Sequence, residues 1–224
     1  MCLAALLGIR PGLTAVIGGG GKTTLLRTLG EELAGEGFRV LLCTSTKIFP
    51  FPDLETWTGS NEEALGEALA ARRLVCAGTP LSGLGKLSAP EIPMERLAAL
   101  ADYVLVEADG SAGRPFKAHA PHEPVIPPEA NRTVCVLGAS GFGRPVAEAA
   151  HRPALFAALA GIPESAPVTP AAAAAVLLAE NLPHQIFLNQ VETAEDRRLA
   201  SALAARLPWP TAAGALQRKE YISC

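Results

Sequence analysis

The stretch Val16-Ile17-Gly18-Gly19-Gly20-Gly21-Lys22-Thr23-Thr24 joins a short β-favouring run to a segment with helical rhythm. A strand, a glycine loop, Lys-Thr and a helix in this order are typical of a phosphate-binding loop. Glycines can turn successive N–H groups toward an anion, and the start of a helix adds unpaired N–H groups. The stretch therefore predicts a nucleotide site made by Gly18, Gly19, Gly20, Gly21, Lys22, Thr23 and Thr24.

Two side chains of the loop are predicted to carry chemistry. Lys22 would neutralise phosphate charge as a catalytic residue, and the Thr23 hydroxyl would ligate Mg²⁺. The spacing is the short form G-x-x-G-K-T from Gly18, because Val16 stands where the longer G-x-x-x-x-G-K-[ST] form has its first glycine. This short form is closer to the loop of Mur-type ligases than to that of Ras-like GTPases. A flexible glycine linker is the alternative, but the flanking strand and helix favour the phosphate loop.

A pair of carboxylates follows the apolar run Tyr103–Val106. Carboxylates directly after a buried strand can hold Mg²⁺ and orient a nucleophile. Because side chains alternate along a strand, we expect Glu107 and Asp109 on the same side. Both are predicted to be catalytic and, together with Thr23, to be metal ligands. A plain acidic turn is the alternative.

The proline-rich segment 111–127 carries the next candidates. Loops this long in a compact domain are usually functional. Arg114 and Lys117 are predicted to be catalytic, through phosphate contacts or stabilisation of transition-state charge. His122 and Glu123 are predicted to bind substrate or transfer protons, although a histidine that only fixes its own loop remains an alternative.

Polar residues that end two other apolar runs complete the predicted site. Thr44, Thr46 and Lys47 follow the run 39–44, where open α/β sheets place ligands, and are predicted to contact substrate. A polar turn is an equally good reading of these three. Asn189 ends the run 185–188 and is predicted to meet the nucleotide. The Gly-, Pro- and Ser-rich segment 78–93, which carries Lys86, is expected to be a mobile surface loop near the site.

Apolar runs alternate with helical segments along the whole chain, which predicts an α/β domain of the P-loop NTPase-like class. We expect a mainly parallel sheet of about six or seven strands, with helices on both faces and right-handed crossovers. Residues 1–224 are predicted to form a single domain, in which 146–182 is a candidate small helical insertion. The predicted strands are 14–17, 39–44, 74–77, 103–106, 133–137, 185–188 and, at the sheet edge, 211–216.

Composition restricts the class of protein. The chain has 49% apolar and 18% charged residues, as globular proteins do, and its net charge of −3 argues against a nucleic-acid partner. The first residues have no basic leader, and no charge-free apolar stretch reaches the ~18 residues of a membrane span. A cytoplasmic protein without a membrane partner is therefore expected. The five cysteines lack C-x-x-C spacing, which favours buried thiols over a zinc site.

Four motifs together resemble one protein family: G-G-G-G-K-T-T, T-S-T-K, V-E-A-D-G-S-A-G-R-P-F-K and H-E-P-V-I-P. The combination is similar to the YqeC-type accessory proteins of selenium-dependent molybdenum hydroxylases. The resemblance continues through His151-Arg152-Pro153 and Pro167-Val168-Thr169-Pro170 to Leu188-Asn189-Gln190. Two positions depart from related loops and motifs. Gly19 stands where Mur-type loops usually carry Thr, and Asn189-Gln190-Val191-Glu192 matches the guanine-reading N-K-x-D motif only loosely.

The resemblance implies a function in maturation of a labile selenium cofactor. The leading hypothesis is a Mg²⁺-dependent enzyme that hydrolyses ATP or GTP or transfers its phosphoryl group. The implied partners are a selenium or molybdenum cofactor precursor and a client hydroxylase. Two alternatives stay open: a nucleotide-gated chaperone or delivery factor that binds cofactor and client, and a nucleotide-binding module without turnover.

Overall fold

The structure, a computed structural model, describes residues 2–224. Thirteen strands and eight α-helices lie within this part of the chain. The strands are β1 (Gly12–Gly18), β2 (Val40–Thr44), β3 (Thr56–Trp57), β4 (Leu74–Ala77), β5 (Thr79–Leu81), β6 (Lys86–Ser88), β7 (Tyr103–Glu107), β8 (Phe116–Lys117), β9 (Ala130–Gly138), β10 (Ala150–His151), β11 (Gln185–Asn189), β12 (Thr211–Ala215) and β13 (Glu220–Ser223). The helices are α1 (Leu3–Leu6), α2 (Lys22–Gly35), α3 (Glu62–Arg72), α4 (Met94–Leu100), α5 (Val146–Ala149), α6 (Pro153–Ala160), α7 (Pro170–Glu180) and α8 (Ala194–Ala204).

Nine strands form one sheet in the order β13-β12-β11-β9-β1-β7-β2-β4-β3. All neighbouring pairs are parallel except β12 with β13, so the predicted α/β class and mainly parallel sheet are confirmed. The predicted count of six or seven strands was too low, because the short strands β3 and β13 extend the two edges. For the same reason β12 is not the edge strand we expected; β13 covers it.

The central strand β1 lies between β7 and β9, and the chain occupies one side of it before crossing to the other. In an open α/β sheet, the crevice at the carboxyl ends of strands where the winding changes side is the usual place for a ligand. The glycine loop leaves β1 at this crevice. The loops after β7 and β9 leave the sheet beside it.

Alternating side chains of β1 supply both faces of the core. Val16 packs with α1 and α2 on one face, where Leu25, Leu26 and Leu29 are fully buried. Ala15 and Ile17 face the other side, which is covered by α5 to α8. Helices α3 and α4 cover the rest of that second side. Helices therefore lie on both faces, as predicted.

Two segments expected to lack regular structure are ordered locally. Within 78–93, β5 and β6 form an antiparallel hairpin, and Ile48 pairs with Leu87 beside it. The segment, which was expected to be a mobile surface loop, therefore contains regular structure that its Gly-, Pro- and Ser-rich composition did not predict. Strand β8 lies in the segment 111–127 and pairs in parallel with β10. The segment 146–182 contains α5, α6 and α7, whose apolar residues join the core against the sheet.

Backbone packing explains glycine at position 19. A Cβ there would collide with the carbonyl oxygens of Arg114 and Pro115, which lie against the glycine loop. Gly20, with a φ of 65°, packs in the same way against Leu137 and Gly138. The segment after β7 thus packs on the glycine loop through backbone contacts that leave no space for a side chain.

Gly19→Ala should therefore destabilise the protein by about 1–3 kcal/mol, as overpacking of a filled site does. The matched control is Gly35→Ala at the end of α2, where a Cβ meets open space and removal of a helical glycine is neutral or stabilising. Urea unfolding of both variants measures the difference. Equal stability of the two variants would contradict this account of position 19.

Candidate functional site

The glycine loop uses its first N–H groups inside the protein. Gly18 N–H donates to the Asp109 carboxylate at 2.8 Å, and Gly19 N–H donates to the Val136 carbonyl at 2.8 Å. Gly20 N–H reaches the Arg114 carbonyl at 3.2 Å. These three donors tie the loop to its neighbours on both sides. The N–H groups of Gly18, Gly19 and Gly20, which were predicted to contact nucleotide, therefore already have acceptors within the protein.

The start of α2 offers the donors that remain. Gly21 is the N-cap, with a φ of 111° and no side chain to cap the helix, whereas Asn61 and Thr169 cap α3 and α7. Among the described residues, no acceptor is paired with the N–H groups of Gly21, Lys22 or Thr23. An uncapped helix start with free N–H groups favours an anion.

Lys22 lies across the loop rather than in solvent. Its Nζ donates to the Gly18 carbonyl at 2.7 Å and to the Ser111 hydroxyl at 3.2 Å. The same Nζ is 3.1 Å from Asp109 Oδ1, although the angles are outside hydrogen-bonding geometry, so the contact is mainly electrostatic. The only cation of the glycine loop is thus held at the loop by one buried carboxylate.

Thr23 and Glu107 meet at the entrance of the site. The Thr23 hydroxyl donates to Glu107 Oε2 at 2.8 Å. Burial raises the pKa of Glu107, which the nearby Lys22 charge and the Thr23 hydrogen bond only partly offset. The strand therefore presents a desolvated carboxylate next to a hydroxyl, and these are two oxygen donors of the kind that Mg²⁺ prefers.

Asp109 is fully buried and surrounded by cations, in a different environment from Glu107. His119 Nε2 lies 2.7 Å from its Oδ2, and the Lys117 ammonium lies 3.5 Å from the same oxygen. Burial alone would raise the pKa of Asp109, but the His119 hydrogen bond and the Lys22 and Lys117 charges outweigh it and lower that pKa. Asp109 is therefore an ionised anchor beneath the loop.

His119 connects Asp109 to helix α7. Its Nδ1 lies 2.7 Å from Glu180 Oε2, and its backbone N–H donates to the other Glu180 oxygen at 2.6 Å. Burial would lower the pKa of His119, but the two carboxylates raise it above the ordinary value. Because both partners only accept hydrogen bonds when ionised, the doubly protonated imidazole fits this position.

Lys117, Glu123 and Arg114, which were predicted to act on substrate, each contact other groups of the protein. Lys117 is buried, donates to the Gly110 carbonyl at 2.6 Å and pairs with Glu123 at 3.1 Å. Glu123 also pairs with Arg152 at 3.1 Å, and Arg152 lies 3.5 Å from His122. The Arg114 guanidinium donates to the Glu148 carbonyl, away from the loop. None of these side chains lines the cleft at the start of α2.

The remaining predicted residues divide into buried supports and cleft residues. Thr44 is buried, with its hydroxyl donating to the Glu107 carbonyl at 2.8 Å, and it accepts from the Thr46 N–H at 3.0 Å. Lys47 lines the cleft. Asn189 lies against the loop, where its amide donates to the Gly20 carbonyl at 2.7 Å and accepts from Leu216 N–H at 3.1 Å.

Three cavities meet at Gly21. The largest, about 440 Å³, extends from Thr23 and Glu107 to Lys47 and Lys86. A second, about 200 Å³, lies along Asn189 and Leu216 on the other side of Gly21. A third, about 260 Å³, adjoins Ser111 and Gln190. An elongated ligand centred on Gly21 would have space in both directions.

Sequence reasoning missed His119, Glu180 and Ser111. Nothing in the spacing separates His119 from His122. Glu180 did offer a signal, because an acidic residue in the last turn of an apolar helix opposes the macrodipole unless it has a cationic partner.

Residues 2–224 include no cluster of three or more Asp, Glu, His or Cys side chains suited to a metal ion. No helix in the same range is long and apolar enough to cross a membrane.

Comparison with known proteins gives one family match. The family model described as YqeC protein matches residues 14–154. The protein named "Uncharacterized protein YqeC" of Escherichia coli (strain K12) is 35% identical over 161 residues. That alignment covers 68% of this chain and 62% of the relative, so the match spans about three fifths of the relative's length.

Two solved structures follow a similar overall course. The hydrogenase maturation factor HypB from Archaeoglobus fulgidus has a TM-score of 0.46 at 13% identity, covering 93% of this chain and 83% of HypB. The signal recognition particle 54 kDa protein from Aeropyrum pernix K1, solved with GDP, has a TM-score of 0.42 at 15% identity. The latter covers 96% of this chain and 44% of that protein. Similarities this distant do not transfer function.

His119 makes stability depend on pH. Because its pKa is raised in the folded state, its contribution should be complete below the ordinary value of 6.5 and lost as pH rises through the folded value. The difference in free energy of unfolding between wild type and His119→Asn should therefore shrink from pH 6 to pH 9. Glu180→Gln removes one partner and should reduce that pH dependence. A difference that is constant over this range would contradict the charged imidazole.

Glu107 should lower the stability of the ligand-free protein. Its raised pKa means that stability falls as pH rises from the ordinary value of 4.5 through the folded value, and the loss persists at pH 7. Glu107→Gln keeps an acceptor for Thr23 and removes the buried charge. The variant should have a higher Tm than wild type at pH 7, and the gain should diminish near pH 4.5. If Glu107→Gln has a lower Tm than wild type at pH 7, neighbouring charges and hydrogen bonds offset the cost of burying the ionised carboxylate, and the prediction is wrong.

Proposed function

The chain belongs to the YqeC family, and on that premise we propose that it binds a nucleoside triphosphate with Mg²⁺ at the start of α2. One observation carries the proposal: Thr23 and Glu107 meet at 2.8 Å beside the free N–H groups of an uncapped helix. Phosphate requires donors and Mg²⁺ requires oxygen ligands. This position offers both within one turn of helix.

The N–H groups of Gly21, Lys22 and Thr23 would hold the phosphates. The Lys22 ammonium rests on the Gly18 carbonyl, at the end of a flexible four-carbon stem. We infer that it exchanges this carbonyl for phosphate oxygens when nucleotide binds, while Asp109 keeps it charged and near the loop. Removal of Lys22 would leave Asp109 with less compensation, so it would affect stability as well as binding.

Thr23 and Glu107 fit the donor set of a Mg²⁺ that shares its coordination with phosphate. Mg²⁺ usually has one or two protein oxygens, with water and phosphate oxygens completing an octahedron. When bound, Mg²⁺ would neutralise charge on the phosphoryl oxygens. Asp109 was predicted as a ligand too, but we now assign it a different role. It would hold Lys22 in place from a buried position.

The nucleoside would extend from Gly21 along the cavity lined by Asn189 and Leu216. Asn189 would support the Gly20 carbonyl rather than read the base, because both ends of its amide already have partners. Because Asn189 would not read the base, we propose that either ATP or GTP is the co-substrate. Lys117 would act through Asp109, and Arg114 would act on substrate only after it leaves Glu148.

The reaction we propose is NTP hydrolysis or phosphoryl transfer, in maturation of a selenium cofactor for molybdenum hydroxylases. Support for the selenium role is the resemblance of the four sequence motifs. Support for turnover is the Thr23–Glu107 pair beside a cleft with space for a second molecule. A cofactor precursor would be the second substrate and a hydroxylase the client.

The proposed site predicts that Mg²⁺ and nucleotide bind cooperatively through Thr23. Thr23→Val should reduce the affinity for a non-hydrolysable ATP or GTP analogue with Mg²⁺ by at least ~10-fold, and Glu107→Gln should act likewise, because each loses a metal ligand. Without Mg²⁺, both variants should bind the analogue within about twofold of wild type. Calorimetry with Mg²⁺ and with EDTA gives the comparison.

The matched control is Thr28→Val, further along α2, where the hydroxyl donates to the Thr24 carbonyl. This variant should retain the Mg²⁺ effect. If wild type binds the analogue no more tightly with Mg²⁺ than without it, the metal assignment fails. If wild type binds neither analogue, the nucleotide site itself fails.

A further inference from the structure

The cavity in front of Thr23 and Glu107 is also lined by residues to which the proposed nucleotide site assigns no role. Lys47, Phe49 and Lys86 form this surface, which we call the acceptor wall. Phe49 is 60% exposed, although it is a large aromatic side chain. The Lys86 ammonium lies 4.5 Å from the centre of its ring. The wall thus combines an accessible aromatic ring with positive charge.

The fold presents Phe49 and Lys86 together. Ile48 and Leu87 are both buried and exchange paired backbone hydrogen bonds of 3.0 Å and 2.8 Å. Phe49 follows one member of this pair and Lys86 precedes the other, so antiparallel pairing brings the two side by side. The β5–β6 hairpin holds Lys86 from behind. The wall therefore rests on a buried anchor and not on a free loop.

The charges of the cavity are unbalanced. Three lysines line it, and Glu107 is the one carboxylate among its described lining residues. Lys22 is paired with Asp109, while neither Lys47 nor Lys86 is in a salt bridge within residues 2–224. Glu107 is directed to the Thr23 hydroxyl. The wall consequently offers two cations to a ligand that brings its own negative charge.

We propose that the acceptor wall binds the second substrate, and that this substrate is a phosphorylated compound with a planar ring. The ring would lie against Phe49, since aromatic faces favour stacking with planar groups. The phosphate would lie between Lys47 and Lys86, because lysines bind phosphate as point charges. The inference rests on the proposed nucleotide site, because the same cavity reaches Thr23 and Glu107, where the terminal phosphate of the nucleotide would lie.

A purely structural role for the wall makes a different prediction. If Lys86 and Phe49 serve only as a surface cation–π pair, their loss should cost a little stability and change no ligand affinity. A binding role requires that the ring and the phosphate of a ligand each add affinity, through different residues. Small probes can test these two contributions separately.

The probe is phenyl phosphate, with phenol supplying the ring alone and glycerol 3-phosphate supplying the phosphate alone. Saturation-transfer NMR titrations on the full chain, with Mg²⁺ and a non-hydrolysable ATP analogue present, give the three affinities. Phenyl phosphate should bind at least ~10-fold more tightly than either fragment. Phe49→Ala should reduce its affinity to that of glycerol 3-phosphate, and Lys86→Gln or Lys47→Gln should weaken both phosphates at least ~5-fold.

Controls come from the same chain. Leu84→Ala removes an exposed apolar side chain from the turn of the same hairpin, and Lys219→Gln removes a lysine outside this cavity. Both should bind phenyl phosphate as wild type does. Equal affinity for the three probes, or equal losses in control and wall variants, would overturn the proposal.

The same titrations keep this inference separate from the proposed function. Each is repeated without nucleotide, and the affinity of the analogue itself is measured for every variant. The wall variants should bind the analogue within about twofold of wild type. If the analogue binds but the probes do not discriminate, the acceptor wall fails and the nucleotide site stands. If the probes discriminate but the analogue does not bind, the nucleotide site fails.

Discussion

The Asp109 carboxylate is buried between the last N–H of β1 and the side chains of Lys22, Lys117 and His119. Ionised groups are costly to remove from water unless they are paired and hydrogen-bonded, and each of these groups is inaccessible enough to need the others. Loss of one member would leave an uncompensated charge. Two parts of the chain that are far apart in sequence, 18–22 and 109–119, are therefore fixed relative to one another.

That fixation determines which N–H groups of the glycine loop have acceptors within the protein. Because Asp109 takes the Gly18 N–H, and backbone carbonyls take those of Gly19 and Gly20, the loop is closed on its inner side. The donors left are those at the start of α2. Glu180 and Glu123 balance the outer side of the cluster through His119 and Lys117. The helical segment 146–182, which contributes Glu180 through α7, thus supports the electrostatics of a loop more than 150 residues earlier.

Much of the fold could be predicted because its signals are local. The apolar runs of β1, β2 and β7, buried on both faces, and the glycine loop before α2 are each contiguous in sequence. Thr23 and Glu107 were expected to share a metal ion, because a Lys-Thr loop and carboxylates after a buried strand are local patterns, and the structure brings the two side chains to 2.8 Å. The two-residue strand β3 and the hairpin β5–β6 could not be found in this way. Strand β3 pairs with β4 across an intervening helix, and the strands of the β5–β6 hairpin have three residues each, which is too short to show an alternating apolar pattern.

The roles of the charged residues were harder to predict than their positions, because sequence does not show which charges neutralise one another. The sequence indicates that Lys117 is a free cation in a loop, but in the structure it forms salt bridges with Asp109 and Glu123. Lys86 looks like part of a linker, yet it lies at the cleft against Phe49 and in no salt bridge within residues 2–224. A cation that is paired with a carboxylate inside the protein is not available to bind a ligand. Of the three lysines that line the cleft, Lys22 is paired with Asp109, so Lys47 and Lys86 are the two whose charge is not offset by a salt bridge within residues 2–224.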